Sequence, residues 1–251
     1  CRIQDAKNEI QKIWEIVHLF YGVFGLELHL RLSLRDPSHS EKYLGNQELW
    51  SEAEKVLREV AAENKTKYFE APGEAAFYAP KLDFMAKDSL DREWQVATIQ
   101  LDVNMPERFD LTCVNEKGEK ERIVMIHAAI MGSFERFLSV IIEHTGGVFP
   151  TWLSPVQAIV LPISEKHLEY GKGVCKKLIE NGIRAEIDES NETLGKKVRD
   201  AKMQKIPYLL VVGDKEVESK EIAVESRIEK LGSMPLDKFL NKIKGEIENR
   251  N

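Results

Sequence analysis

The chain has 251 residues, 43% of them hydrophobic and 31% charged, with a formal net charge of −6. That length allows one or two domains with ordinary cores, and the composition excludes a disordered or low-complexity protein. No apolar run approaches the ~20 residues of a membrane span, no signal peptide opens the chain, and the acidic balance argues against a general nucleic-acid-coating surface while leaving room for a local basic face.

Residues 4–23 place Ile10, Ile13, Ile16, Val17, Phe20 and Tyr21 at helical spacing. The segment 27–35 alternates strictly and predicts a strand with one wet face. A second amphipathic helix follows over 47–63, and 77–88, 93–105 and 109–127 read as antiparallel strands, the last with a hairpin turn around 115–119. A helix from Ala128 to His144 completes an α+β pattern. After Thr145-Gly146-Gly147 the rhythm changes. Strands at 156–163, 183–188 and 207–214 alternate with helices at 165–181 and 192–204. A short hairpin over 217–226 and a helix over 236–248 close the chain. This is an α/β domain with a mixed, mainly parallel five-stranded sheet. The expected domains are therefore 1–147 and 148–251. Their charges differ: the second has 18 Lys+Arg against 17 Asp+Glu, about +1, and the first is left at about −7. Cys1, Cys113 and Cys175 are odd in number and widely spaced, which fits reduced thiols in a cytoplasmic protein. The chain opens on Cys1 directly into a helical pattern, which predicts a fragment lacking an N-terminal part.

The densest chemistry lies in IVMIHAAIMGSFERFLSVIIEH, residues 123–144. His127 ends the strand, Gly132 and Ser133 fall in the early helix, and Arg136 follows one turn on. A helix start exposes unpaired N–H groups and partial positive charge, and a guanidinium fork suits phosphate. A structural ion pair would use the same arginine equally well. His127 has no second His or Cys at chelating spacing, and a zinc site needs three or four ligands, so the chain holds no complete metal site. In the strand 93–105, Thr98 and Gln100 share a face continued by Asp102. Gln95 and Gln100 are an odd number apart and point oppositely unless a bulge realigns them. Tyr78 and Lys81 on the neighbouring segment complete a polar trough, suited to a substrate with ammonium and carboxylate groups or simply a solvated sheet face. In the second domain Asn191 is placed to cap a helix carrying Lys196, Lys197, Arg199, Lys202 and Lys205, a basic face in an acidic chain.

GEAAFYAPKLDF, QVATIQLDVNMPERFDL, VMIHAAIMGSFERF, FPTWLSPVQ, NGIRAEID, NETLGKKVRDA, IPYLLVVGDKEVES and LGSM, in this order and spacing, resemble bacterial-type threonyl-tRNA synthetases along essentially the whole chain. The spacing from VMIH to GSFER, with a terminal anticodon domain, separates this family from the prolyl and histidyl types. The resemblance implies the end of a class II core, with motif 3 present and motifs 1 and 2 lying upstream, followed by an anticodon-binding domain. In motif 3, Arg136 would grip ATP phosphate, beside Ser133. His127 would be one of three Zn2+ ligands, the other two lying upstream in the family. Gln95 and Gln100 would bind ATP and threonine, with Tyr78 and Lys81 lining the pocket, and Mg2+ would accompany ATP. Asn191, Arg199, Lys205 and Glu216 would lie on the face that reads the tRNA(Thr) anticodon. The implied parent is a cytoplasmic homodimeric ligase acting on ATP, L-threonine and tRNA(Thr), with no membrane or DNA partner. This chain alone is expected to lack aminoacylation activity and tight zinc binding. The family pattern has Gly at Ala79 and Ala97, Cys at Val96, Arg at Ala128, a basic residue at Thr193 and Arg at Glu225. Methyl groups at the first two positions would crowd the trough, and Glu225 would place negative charge near RNA phosphates. These departures motivate the alternative of a non-catalytic, synthetase-like tRNA-binding or regulatory protein.

Overall fold

The computed structural model describes residues 1–250, which divide into two units, 1–144 and 145–250. In the first, α1 (Ile3–Val23) turns Ala6, Ile10, Trp14, Val17 and Tyr21 inward. It is followed by β1 (Leu28–Leu34) and α2 (Gln47–Glu63), which buries Trp50, Ala53, Leu57, Val60 and Ala61. Then come β2 (Tyr68–Pro72), β3 (Lys81–Lys87), β4 (Glu93–Asp102), the single turn α3 (Met105–Arg108), the hairpin of β5 (Thr112–Val114) and β6 (Lys120–Arg122), β7 (Met125–Ala129) and α4 (Phe134–Thr145). The main sheet runs β2-β1-β3-β4-β7, antiparallel except where β1 pairs β2. Alternation along the strands sends Leu30, Leu32, Leu82, Phe84, Ile99 and Leu101 into the core beneath α1 and α2. The polar residues between them form the opposite face.

The second unit holds β8 (Ala158–Pro162), α5 (Leu168–Glu180), β9 (Ala185–Ile187), α6 (Leu194–Met203), β10 (Tyr208–Val212), α7 (Asp214–Ser219), β11 (Glu221–Ser226), β12 (Lys230–Pro235) and α8 (Leu236–Asn249). Its sheet order is β12-β11-β10-β8-β9. It is mixed, with two parallel pairings (β8 with β9 and β10) and two antiparallel ones, so parallel pairs hold no majority. The hairpin expected at 217–226 is instead α7 followed by a hairpin of β11 and β12. One face packs Val160, Leu210 and Val224 against Val174 and Leu178 of α5 and Phe239 and Ile243 of α8. The other packs Ile159, Leu161 and Leu209 against Ala201 of α6. Among the described residues no helix is long and apolar enough to cross a membrane.

Candidate functional site

The first site is the polar face of the 1–144 sheet. Register places Ser33, Lys81, Gln100 and His127 side by side across β1, β3, β4 and β7, and Arg31, Asp83 and Thr98 on the adjacent rung. Gln95 joins them through a bulge. Phe84 pairs with Ala97, but the next residue, Met85, pairs with Gln95, so Val96 is the extra residue. One extra residue reverses the alternation. Gln95 therefore turns to the trough, where its amide donates to Asp83 Oδ1 (2.9 Å) and to Thr98 Oγ1 (2.8 Å).

Asp83 is fully buried at the centre. Its Oδ2 accepts from Ser33 (2.7 Å) and Arg31 (3.1 Å) and lies 3.2 Å from Lys81 Nζ, and its Oδ1 also accepts from Thr98 (2.8 Å). Two cations and three neutral donors thus compensate one buried carboxylate. Arg31 further donates to Gln95 Oε1 at 2.9 Å. Its Nε is buried without a partner among the described residues. Tyr78 precedes β3 and donates its hydroxyl to Gln100 Oε1 at 3.1 Å, and its ring meets His127 edge-on. His127 places Nε2 3.0 Å from Oδ2 of the buried Asp102. Asp102 is itself fixed by the backbone N–H groups of Asn104 and Met105. Asp83, Arg31 and Ser33 are site residues that the sequence reading left without a role, and Asp102, read only as continuing the polar file, also holds His127. The alternation of LHLRLSL and KLDFMAK carries the signal, since it puts three of them on the face of Lys81.

Two sequence expectations change here. Gly132 and Ser133 lie in the loop before α4, not inside a helix starting at Ala128, because β7 continues to Ala129. Gly132 has φ +68°, and a Cβ there would stand 3.1 Å from the Val96 carbonyl oxygen, so the loop rests on the bulge. The same oxygen accepts from Tyr21 Oη at 2.8 Å. Ser133 Oγ accepts from the Arg136 N–H at 3.3 Å, which leaves Arg136 in the first turn of α4, exposed and in no ion pair with a described residue. Second, Ala97 does not crowd the trough. It lies opposite Phe84, which packs on Trp14 of α1, so its methyl faces the helices. Ala128, opposite Ile99, likewise lies on the face away from His127.

Among the described residues no group of three His, Cys, Asp or Glu could hold a metal ion. His127 fits as a single ligand: one ring nitrogen is held by a buried carboxylate, the arrangement that orients metal-bound histidines.

In the second unit, Asn191 follows β9, Ser164 follows β8 and Glu216 follows β10. All three stand at the carboxyl ends of parallel strands, around β8 where the connections diverge, the usual ligand crevice of such sheets. Asn191 lines a hollow of about 270 Å³ with Ser164, Asp188 and Lys197. Glu216 Oε2 accepts from the Gly213 N–H at 3.0 Å. His167, almost wholly buried, ties two of the loops: Nδ1 accepts from the Ser164 N–H (3.2 Å) and Nε2 lies 3.1 Å from Asp214 Oδ1. Asn191 is not the helix cap. Thr193 is, its hydroxyl accepting from Lys196 N, because α6 begins two residues later than the Asn191 cap requires. Arg199 is exposed midway along α6. Lys205 lies beyond the far end of α6, before β10 begins, with Nζ on the Gly146 carbonyl. Lys205 is therefore separated from Asn191 and Glu216 by the length of the helix.

Residues 1–145 match the tRNA synthetase class II core domain family (G, H, P, S and T), and residues 157–246 match the anticodon binding domain family. The chain is 46% identical over 248 residues to a threonine–tRNA ligase of Carboxydothermus hydrogenoformans, covering 98% of this chain and 38% of that one. It is 46% identical over 242 residues to that of Thermus thermophilus, covering 96% and 37%. The crystal structure of the RNA binding domain of threonyl-tRNA synthetase from Cryptosporidium parvum superposes with a TM-score of 0.90 at 37% identity, covering 98% of this chain and 61% of that one. The chain thus spans under two fifths of the length of these curated relatives. A class II core sequence running into an anticodon-binding domain, matched end to end by threonine–tRNA ligases, shows that the chain belongs to the threonyl branch of the class II aminoacyl-tRNA synthetases.

Proposed function

We propose that the chain is the part of a threonine–tRNA ligase that supplies one wall of the activation site and the anticodon reader. The observation that carries this reading is the polar face of the sheet, where Lys81, Gln100 and His127 stand in register, Tyr78 reaches Gln100, and the Val96 bulge turns Gln95 to join them. Gln95 and Gln100 offer amide groups to the amino acid and nucleotide, and Lys81 and Arg31 hold a cationic floor balanced by Asp83. Arg136, in the first turn of a 12-residue helix and in no ion pair with a described residue, would grip ATP phosphate, whose charge Mg2+ would share. His127 would supply one ligand to a zinc that coordinates the amino and hydroxyl groups of threonine, with its other protein ligands outside this chain. Valine lacks that hydroxyl and would leave the polar site unpaired. In the second unit, Asn191, Arg199 and Glu216 would lie on the face that meets the unstacked anticodon loop of tRNA(Thr), and Lys205 would act apart from them. The complete enzyme is taken as a homodimer.

Threonine-dependent ATP–pyrophosphate exchange by the longer protein tests the reading. Gln100→Leu and Arg136→Gln should each lower kcat/KM by about 10²-fold, Arg136→Gln largely through the KM for ATP. Retained tRNA binding with no exchange in the longer protein would favour the non-catalytic alternative. Exchange by the 251-residue chain alone would remove the requirement for ligands outside it.

A further inference from the structure

The cations of α6 are almost all committed within the fold. Lys196 Nζ lies 2.6 Å from Glu192. Lys197 is buried, its ammonium donating to the carbonyls of Pro162 (3.2 Å) and Asp188 (3.0 Å). Lys202 Nζ lies 2.5 Å from Oε1 of Glu225. Arg199 is the one cation of this helix with no ion pair or hydrogen bond to a described residue. Arg199 and Lys202, three residues apart, are neighbours on the helix surface. Glu225 reaches them from the sheet: it pairs with Leu209, whose side chain packs with Ala201 of α6. Its side chain is 20% exposed and that of Lys202 54%. An ammonium held against a carboxylate releases no counterion when RNA binds, whereas a free one contributes to affinity and to its salt dependence.

We propose that Glu225 sets the strength of RNA binding on this face by holding Lys202 out of phosphate contact, so that Arg199 alone among the α6 cations meets the RNA backbone. This rests on the reading of α6 as part of an anticodon face. The pair is a brake. It keeps the surface nearly neutral to arbitrary polyanions and leaves discrimination to Asn191 and Glu216, which meet bases rather than phosphates.

The test is binding of a threonine-tRNA anticodon stem-loop to the 251-residue chain as a function of salt. Glu225→Gln frees Lys202 and should tighten binding by about two- to fivefold at low salt, the range of an exposed ion pair. It should also steepen the log–log salt slope by about 0.7, one single-strand phosphate contact. Lys202→Gln leaves Glu225 unpaired and should weaken binding without changing the slope, and the double variant should return close to the parent. Weaker binding by Glu225→Gln would mean that its carboxylate contacts the RNA directly, which overturns the proposal. So would a shallower slope in Lys202→Gln, or equal binding by all four proteins. If the parent chain itself does not bind the stem-loop, the anticodon reading fails instead. If the parent binds and Arg199→Gln weakens it while Glu225→Gln does nothing, that reading stands and only the brake is lost.

Discussion

The two units place their polar residues in opposite ways. In 1–144 the candidate site is a network inside a sheet, with Asp83 wholly buried and hydrogen-bonded or paired to Ser33, Arg31, Lys81, Gln95 and Thr98. In 145–250 the candidate residues sit apart around a separate apolar core, Asn191 on a loop, Arg199 on α6 and Glu216 on α7. A trough that holds a small polar substrate must be preorganised before the ligand arrives, so its members support one another. A face that reads splayed bases presents side chains individually. Substitutions should therefore be strongly coupled in the first unit and nearly independent in the second.

The sharpest break in that contrast is Asp83→Ala. It leaves Arg31 and Lys81 as uncompensated charges beside a buried vacancy, which costs about 3–5 kcal/mol. Hydrogen exchange resolved by segment should show lost protection across β1, β3 and β4. Asp83→Ala combined with Lys81→Met should cost less than the sum of the two single changes, because the second change removes a charge the first has stranded. Additive costs would mean that the trough is a set of separate contacts.

How much of this was legible in sequence follows the same division. Periodicity gives α2 over 47–63 to the residue, and α1 to within one, because each buries a long stripe. The polar file of Thr98, Gln100 and Asp102 is readable from strict alternation. What alternation cannot reveal is where it is interrupted. Nothing local in WQVAT marks Val96 as the bulged residue; the bulge is fixed by the tertiary partners of its carbonyl side, Tyr21 Oη and the glycine at 132. The start of α4 escapes periodicity for a related reason. AAIMGSF carries apolar residues compatible with a helix, but pairing of Ala128 and Ala129 with β4 holds them extended, and only Gly132 in the left-handed region turns the chain. In the second unit β8 and β10 were legible as apolar runs. A hairpin is expected over 217–226, but its first residues belong to the segment 214–219. That segment is a helix, capped by Glu216 on Gly213. Two departures from the family pattern also acquire local roles: Thr193 caps α6 and Glu225 pairs with Lys202.

A smaller effect sharpens the second half of the comparison. Thr193→Ala removes the hydroxyl that accepts from Lys196 N at 3.4 Å and should cost about 1 kcal/mol. Chemical denaturation followed by exchange at α6 amides measures it. Independence predicts that this cost adds to that of Arg199→Gln within about 0.5 kcal/mol, unlike the Asp83 and Lys81 pair. Coupling well above that would show that the face is a network after all.

The smallest expected effect concerns Glu246 on α8, which has three side-chain partners, Thr151, Tyr208 and Lys242. Burial pushes its carboxyl up, but Tyr208 Oη at 2.6 Å, Lys242 Nζ at 2.9 Å and Thr151 Oγ1 at 3.2 Å outweigh burial and hold it below the ordinary range. A carboxylate depressed in the fold contributes stability that is fully present above its unfolded value, near 4.5. That contribution is lost as pH falls through the lower folded value. Glu246→Gln should therefore be less stable than the parent at pH 7, with the difference shrinking steadily below about pH 4.5 as the parent's carboxylate takes up its proton. Denaturant melts of this unit from pH 7 to pH 3 follow the gap. A gap that stays constant over that range would mean that Glu246 stabilises through shape and neutral hydrogen bonds alone, and the second unit would then hold no charge network comparable to the one around Asp83.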